Sequence, residues 1–103
     1  MSLNVLELRY LIRSAMINKQ LVDFVYENQY VLGEPHVYGI KANEIHLLIY
    51  QIDGQSSNTR LPKWQDISAE KICNFHLLRY HFQGKRTTTN IQKDFDKVLE
   101  FVK

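Results

Sequence analysis

The chain opens with apolar residues spaced as they are on one face of an α-helix. The positions that recur at this spacing are Leu8, Leu11, Ile12, Ala15 and Met16. Asn4 stands three residues before Glu7, which is the spacing of a capping box at a helix N-terminus. The pattern therefore predicts an amphipathic N-terminal helix over residues 3–18.

From residue 20 to residue 82 the periodicity changes to the alternation that is typical of β-strands. Val22 and Phe24 share one side of such an alternation, and residues 45–52 are rich in β-branched and aromatic side chains. The long apolar segment 72–82 predicts a strand that is central or bulged. Five or six short strands joined by tight turns predict a small barrel of SH3-like or Sm-like type.

The last stretch of the chain, residues 90–102, returns to helical spacing. Its apolar stripe consists of Ile91, Phe95, Val98, Leu99 and Val102. We therefore expect a C-terminal helix that covers the barrel or mediates self-association. The whole chain, residues 1–103, is then a single mainly β domain with flanking helices.

Composition narrows the class of protein. The chain has 103 residues, 45% of them hydrophobic, and a net charge of +2, which favours a globular fold over a disordered segment. The single cysteine, Cys73, excludes an internal disulfide and fits a reducing compartment. We expect it to be an inert thiol in the core. No apolar run approaches the roughly 18 residues of a membrane span, and the start lacks a signal pattern. We expect a cytoplasmic protein without membrane contact.

Enzyme and metal signatures are missing from the sequence. It contains no Gly-x-Ser-x-Gly motif and no phosphate-binding loop motif. The four histidines and the single cysteine lack the spacing of a structural zinc site. The expectation is a protein that is not an enzyme and that binds no metal and no cofactor.

Several segments, taken in order, are similar to those of one known family. They are residues 15–17, 21–26, 34–39, 47–51, 63–67 and 72–82. Residues 15–86 resemble the WYL domain, and more closely its short stand-alone variants without a helix-turn-helix. The naming Trp-Tyr-Leu tripeptide stands here as Ile45-His46-Leu47, and Gln65 replaces the arginine that commonly follows the strand tryptophan. The resemblance implies an Sm-like barrel and a bacterial regulatory module that senses a ligand or an oligonucleotide.

Basic residues are concentrated in one part of the chain. Residues 60–86 contain six basic and two acidic residues, whereas residues 1–59 contain four basic and six acidic ones. Aromatic residues such as Trp64 lie among these basic residues, a combination that binds single-stranded nucleic acid in small barrels. The surplus of positive charge in residues 60–86 is modest, however. It also fits a solvated barrel face that covers core aromatic residues.

These observations predict a ligand-binding face on the barrel. In this hypothesis Arg60 and Lys63 contact a phosphate, Trp64 and Tyr50 stack against a base, and His36 orients the ligand. By resemblance, basic residues near Arg60 line the ligand groove of the family. Each residue also has a plain structural reading: a half-buried anchor for Trp64, a surface histidine for His36 and an exposed loop charge for Arg60.

The predicted function is a small WYL-like regulatory or binding module. It would hold an anionic ligand, either a nucleotide or a short single-stranded nucleic acid, on the barrel face. The alternative is a structural protein–protein interaction module, for example a homodimer through the two terminal helices, since an isologous interface needs only one apolar patch.

Overall fold

The computed structural model describes residues 4–54, 60–84, 86 and 95–102. One helix, α1 (Val5–Asn18), precedes six strands, and a short 3-10 helix (Ala69–Lys71) joins the fourth strand to the fifth. The strands are β1 (Gln20–Tyr26), β2 (Gln29–Lys41), β3 (Glu44–Gly54), β4 (Lys63–Ser68), β5 (Ile72–His81) and β6 (Lys97–Phe101).

The predicted N-terminal helix is confirmed, together with its cap. The backbone N–H of Glu7 donates to the Asn4 side chain at 2.9 Å, and the Glu7 carboxylate accepts from the Asn4 backbone. The helix ends at Lys19, whose left-handed conformation (φ 54°) turns the chain towards β1. The helix buries the side chains of Leu8, Ile12, Ala15 and Met16.

All six strands belong to one antiparallel sheet, in the order β4-β3-β2-β1-β5, with β6 also paired to β2. The strand β2 is 13 residues long, and β3 runs along one of its edges. The other edge is shared, because β1 pairs with residues 29–33 and β6 pairs with residues 37–40. Residues 34–36 therefore lie where this edge passes from one partner to the next.

The connection between β4 and β5 forces the sheet to curl. These strands stand at opposite ends of the strand order, yet only the three residues Ala69–Lys71 join them. The backbone N–H of Ser68, at the end of β4, donates to the Tyr26 hydroxyl at the end of β1. Within the described residues β4 and β5 do not pair with each other, so the sheet is open and the predicted barrel is not confirmed.

The prediction of a C-terminal helix is wrong. Of residues 90–102, those from 90 to 94 lie outside the described part, and the rest lead into β6. The free half of the β2 edge supplies a pairing partner for these residues. The helical spacing of apolar residues in the sequence cannot show that such a partner exists. Gly39 permits the close approach, since a Cβ there would overlap the backbone oxygen of Lys97.

The main core lies between α1 and the curled sheet, and a smaller cluster joins β2 to the start of the C-terminal segment. The smaller cluster consists of Val37, Leu48 and Phe95, with Trp64 packed against it. The strand β5 is bulged as predicted, but it ends the strand order and so is not central. Its bulge at Asn74 (φ 53°) leaves Cys73 exposed, which corrects the prediction of a core thiol.

No helix in the described part of the chain is long and apolar enough to cross a membrane.

Candidate functional site

Three side chains from neighbouring strands form one row across the sheet. Glu34 of β2 pairs with Tyr50 of β3, and Tyr50 pairs with Trp64 of β4. Residues directly opposite each other on paired strands point to the same face of a sheet, so strand register alone brings these three together. The row contains a carboxylate and two large aromatic rings.

A β-bulge adds a histidine to this row. Pro35 pairs with Ile49 and Val37 pairs with Leu48, so His36 is the extra residue on β2. Bulges redirect a side chain, and proline is tolerated at them because it has no N–H to donate. The redirected His36 Nε2 lies 2.9 Å from Glu34 Oε1, and the two side chains are only 3% and 5% exposed.

The buried carboxylate is paired with an arginine that follows β5. Arg86 Nε donates to Glu34 Oε1 at 2.7 Å, and Arg86 Nη2 donates to Oε2 at 2.9 Å. This two-bond fork is the strongest geometry for an arginine–carboxylate pair. The guanidinium carbon also lies 4.2 Å from the centre of the Tyr50 ring, a cation–π contact.

The charge states in this cluster follow from burial and pairing. Burial by itself raises the pKa of Glu34, but the hydrogen bonds from Arg86 and His36 outweigh it and leave that pKa below its ordinary value. Burial lowers the pKa of His36, against the opposing effect of Glu34. Near neutral pH, Glu34 is therefore ionised and His36 is neutral. Because the carboxylate only accepts, His36 Nε2 carries the proton that it shares with Glu34.

Aromatic rings enclose the polar cluster. Trp64 contacts His36 and Tyr50 edge-on, with ring centres 5.1 Å and 5.0 Å apart. Phe82, just after β5, lies with its ring centre 5.3 Å from that of His36. These contacts hold Trp64 half-buried and fix the orientation of its ring.

The row, the arginine and the residues after β5 surround a pocket of about 610 Å³. That volume lies within the usual range of small-molecule sites. Each of the strands β1 to β5 contributes at least one lining residue, and no residue of α1 lines the pocket. The lining residues are Leu21, Glu34, Tyr50, Ile52, Trp64, His81, Phe82, Gln83, Gly84 and Arg86.

The structure brings together three of the five predicted site residues. Tyr50 and Trp64 line the pocket, and His36 contacts Trp64 without lining the pocket itself. Arg60 is exposed and does not line the pocket. Lys63 pairs with Gln51 in the adjacent row, so strand alternation directs it to the opposite face from Trp64.

Two residues of the pocket cluster were missed by the sequence reasoning. Arg86, which was counted only as part of the basic segment, supplies the cation in place of Arg60 and Lys63. Glu34 was not singled out at all. A carboxylate between Gly33 and Pro35, within a mostly apolar stretch of the strand, was the available signal, since a buried charge requires a partner.

A second polar cluster lies outside the pocket. Asp66 accepts from His46 Nδ1 at 2.7 Å and from Lys41 Nζ at 2.6 Å. Burial raises the pKa of Asp66, but these hydrogen bonds outweigh it and leave the pKa below its ordinary value. Over the described residues, no group of three or more acidic, histidine or cysteine side chains is arranged to hold a metal ion.

Comparisons of the chain with protein-family models, with curated proteins and with solved structures found no match. The resemblance to the WYL domain stays a prediction. The function is therefore argued from the pocket itself.

Proposed function

We propose that the chain is a small binding module whose pocket holds an anionic ligand that carries a planar ring, either a nucleotide or a short single-stranded nucleic acid. The observation that supports this proposal is the convergence of Tyr50, Trp64 and Arg86 on one pocket of about 610 Å³. Aromatic rings stack against bases of any sequence, and an arginine beside them can bind the phosphate.

The contacts give each residue a role. Trp64 and Tyr50 would stack against the base. A guanidinium has five N–H donors, of which Glu34 occupies two, so Arg86 retains donors for a phosphate. The Arg86 side chain is 45% exposed, whereas Glu34 holds its guanidinium in a fixed place. Such a buried second residue positions the binding group in advance.

The pairing with Glu34 also predicts how binding depends on salt. Glu34 offsets much of the charge of Arg86, so the ligand would meet one partly compensated cation. We expect the logarithm of affinity to fall with the logarithm of salt concentration at a slope of about one or less, far below that of a dedicated nucleic-acid protein.

Trp64 is the only tryptophan of the chain, so its fluorescence reports directly on the pocket. We expect mononucleotides and short oligonucleotides, titrated at low salt, to quench this fluorescence to saturation. Replacing Arg86→Lys should weaken binding about tenfold, because lysine lacks the planar two-bond fork. The matched control is the double variant Arg60→Ala with Lys63→Ala, which should bind like the unchanged protein.

Two results would refute the proposal. Unchanged fluorescence at millimolar nucleotide would exclude this ligand class. Loss of binding in the Arg60 and Lys63 variant, with Arg86→Lys unaffected, would move the site to the face that the sequence alone predicted.

The finer fold and cellular predictions remain proposals as well. We infer that the curled sheet is a small SH3-like or Sm-like barrel, and the three-residue connection Ala69–Lys71 between its outermost strands supports closure. A regulatory, ligand-sensing role in the cytoplasm is also part of the proposal. It rests on the resemblance and on the single cysteine.

A second candidate function is self-association through α1, and an exposed apolar stripe favours it. Leu6, Tyr10 and Ile17 are 79%, 69% and 68% exposed. Together with Arg13 they follow the alternating four- and three-residue spacing of a coiled-coil seam. In an antiparallel pair with a second copy, Leu6 would face Ile17 and Tyr10 would face Arg13, a cation–π partner. The predicted homodimer would then use α1 alone, since β6 replaces the second helix.

The stripe is short, so this dimer should be weak. A helix of 14 residues is about 21 Å long, which is too short to bury the area of a standard stable interface. We expect sedimentation to detect dimers only at high protein concentration, and Leu6→Glu to abolish them. A monomer at millimolar concentration would rule out this candidate.

A further inference from the structure

The floor of the pocket is a buried carboxylate surrounded by aromatic rings. The Glu34 side chain is 5% exposed and ionised, and both of its oxygens take part in the fork with Arg86. Tyr50 presents its ring face to the bound guanidinium, and Trp64 packs against Tyr50. His36 Nε2 lies 2.9 Å from Glu34 Oε1, the oxygen that also accepts from Arg86 Nε.

These features match the chemistry of a guanidinium more closely than that of any other cation. A guanidinium is planar, so it can satisfy both carboxylate oxygens and stack on an aromatic ring at the same time. An ammonium group is a compact point charge that offers no such fork and is more strongly hydrated. The pocket therefore distinguishes arginine from lysine by shape as well as by charge.

Glu34 and Tyr50 belong to a different part of the fold from the arginine that they bind. Glu34 and Tyr50 lie on paired strands inside the sheet, so their relative positions are set by strand register. Arg86 lies beyond the end of β5 and outside every described strand. Its described contacts are the fork with Glu34 and the stacking on Tyr50. The sheet thus forms a preorganised site, and Arg86 enters it as a ligand would.

We propose that Glu34 and Tyr50 form a receptor for an arginine side chain, which Arg86 fills within the chain and which an arginine of a partner peptide fills when Arg86 is displaced. Arg86 acts as an internal competitor that keeps the buried carboxylate paired. This inference concerns the floor of the pocket and goes beyond nucleotide binding, which uses its aromatic walls and the outward donors of Arg86.

The test removes the internal occupant and supplies a free one. In the variant Arg86→Ala, we expect N-acetyl-arginine amide or methylguanidinium, at millimolar concentration, to raise Tm by about 5 to 10 °C and to saturate. The unchanged protein should need a much higher ligand concentration for the same shift, because Arg86 competes for the site. N-acetyl-lysine amide and the neutral analogue N-acetyl-citrulline amide should shift the Tm of Arg86→Ala far less.

The double variant Glu34→Gln with Arg86→Ala is the matched control, and arginine amide should leave its Tm unchanged. If Arg86→Ala does not fold unaided, recovery of soluble folded protein on refolding with methylguanidinium replaces the Tm readout, and failure to recover it refutes the proposal. Equal shifts with arginine, lysine and citrulline, or equal shifts in the double variant, would also overturn it. A negative nucleotide titration of the unchanged protein would refute the proposed function and leave this result standing.

Discussion

Removing either partner of the Glu34–Arg86 pair should have unequal consequences, because the two side chains differ in burial. Glu34 is 5% exposed and Arg86 is 45% exposed. The variant Arg86→Ala leaves a buried carboxylate without its cation, which typically costs about 3 to 5 kcal/mol. The variant Glu34→Gln leaves a cation that water can reach, so we expect a loss of only about 1 to 2 kcal/mol.

The pH dependence follows from the direction of the pKa shift. The folded-state pKa of Glu34 lies below its ordinary value, so its pairing stabilises the protein above that ordinary value and the contribution is lost as pH falls through the folded-state pKa. In Arg86→Ala, burial acts on Glu34 with only His36 opposing it, so we expect the pKa to rise. The loss of stability in that variant would be largest at neutral pH, and stability would recover as Glu34 takes up a proton.

Urea unfolding at about pH 7 and about pH 5 measures both effects. We expect the stability gap between the unchanged protein and Arg86→Ala to narrow at the lower pH. The double variant Glu34→Gln with Arg86→Ala should be more stable than Arg86→Ala at neutral pH, because it removes the buried charge. A smaller loss for Arg86→Ala than for Glu34→Gln, or a double variant that is the least stable of the three, would contradict this reasoning.

Three further changes test other parts of the fold. Gly39→Ala would push a methyl group into the backbone of Lys97, so urea unfolding should show a loss of about 1 to 3 kcal/mol and hydrogen exchange should show faster opening of β6. Asp66→Asn weakens two charged hydrogen bonds and should cost about 1 to 2 kcal/mol at neutral pH. Because the pKa of Asp66 is lowered, this loss of stability should diminish below about pH 4. A loss that does not change with pH would contradict the role given to the ionised Asp66. Asn4→Ala removes the cap of α1 and should cost about 1 kcal/mol in urea unfolding, with an unchanged value refuting the role of the cap.

The local signals in the sequence were reliable where one element decides its own conformation. The capping pair Asn4 and Glu7 and the apolar face behind it predicted α1, because all of the necessary contacts lie within a few residues. The alternation around Val22 and Phe24 predicted β1, and both side chains are buried as that alternation requires. Such contacts depend on spacing alone.

The site was only partly predictable because its geometry depends on strand register. Tyr50 and Trp64 were recognised by their residue types, but their alignment with Glu34 follows from a pairing that no local pattern encodes. Arg86 reaches Glu34 across 52 residues of sequence. Arg60 and Lys63 were chosen because they are close to Trp64 along the chain, and alternation places Lys63 on the other face.

The C-terminal segment shows how context overrides periodicity. Val98, Leu99 and Val102 fit a helical stripe, but a strand of five residues can satisfy the open half of the β2 edge. Edge hydrogen bonds are a tertiary property, so the same residues would be expected to behave differently without β2. Here the partner, and not the intrinsic pattern, determines the conformation.

The division of the β2 edge between β1 and β6 has a consequence for the order of folding. The hairpin of β1 and β2 joins residues that are close in sequence, whereas β6 pairs with residues about 60 positions earlier, as in Val37 with Phe101. We expect contacts of such long range to form late, so one edge of β2 beside Val37 and Tyr38 would stay unpaired until β6 docks. During that interval the open edge would offer a template for another chain, and the docking of β6 would protect against aggregation.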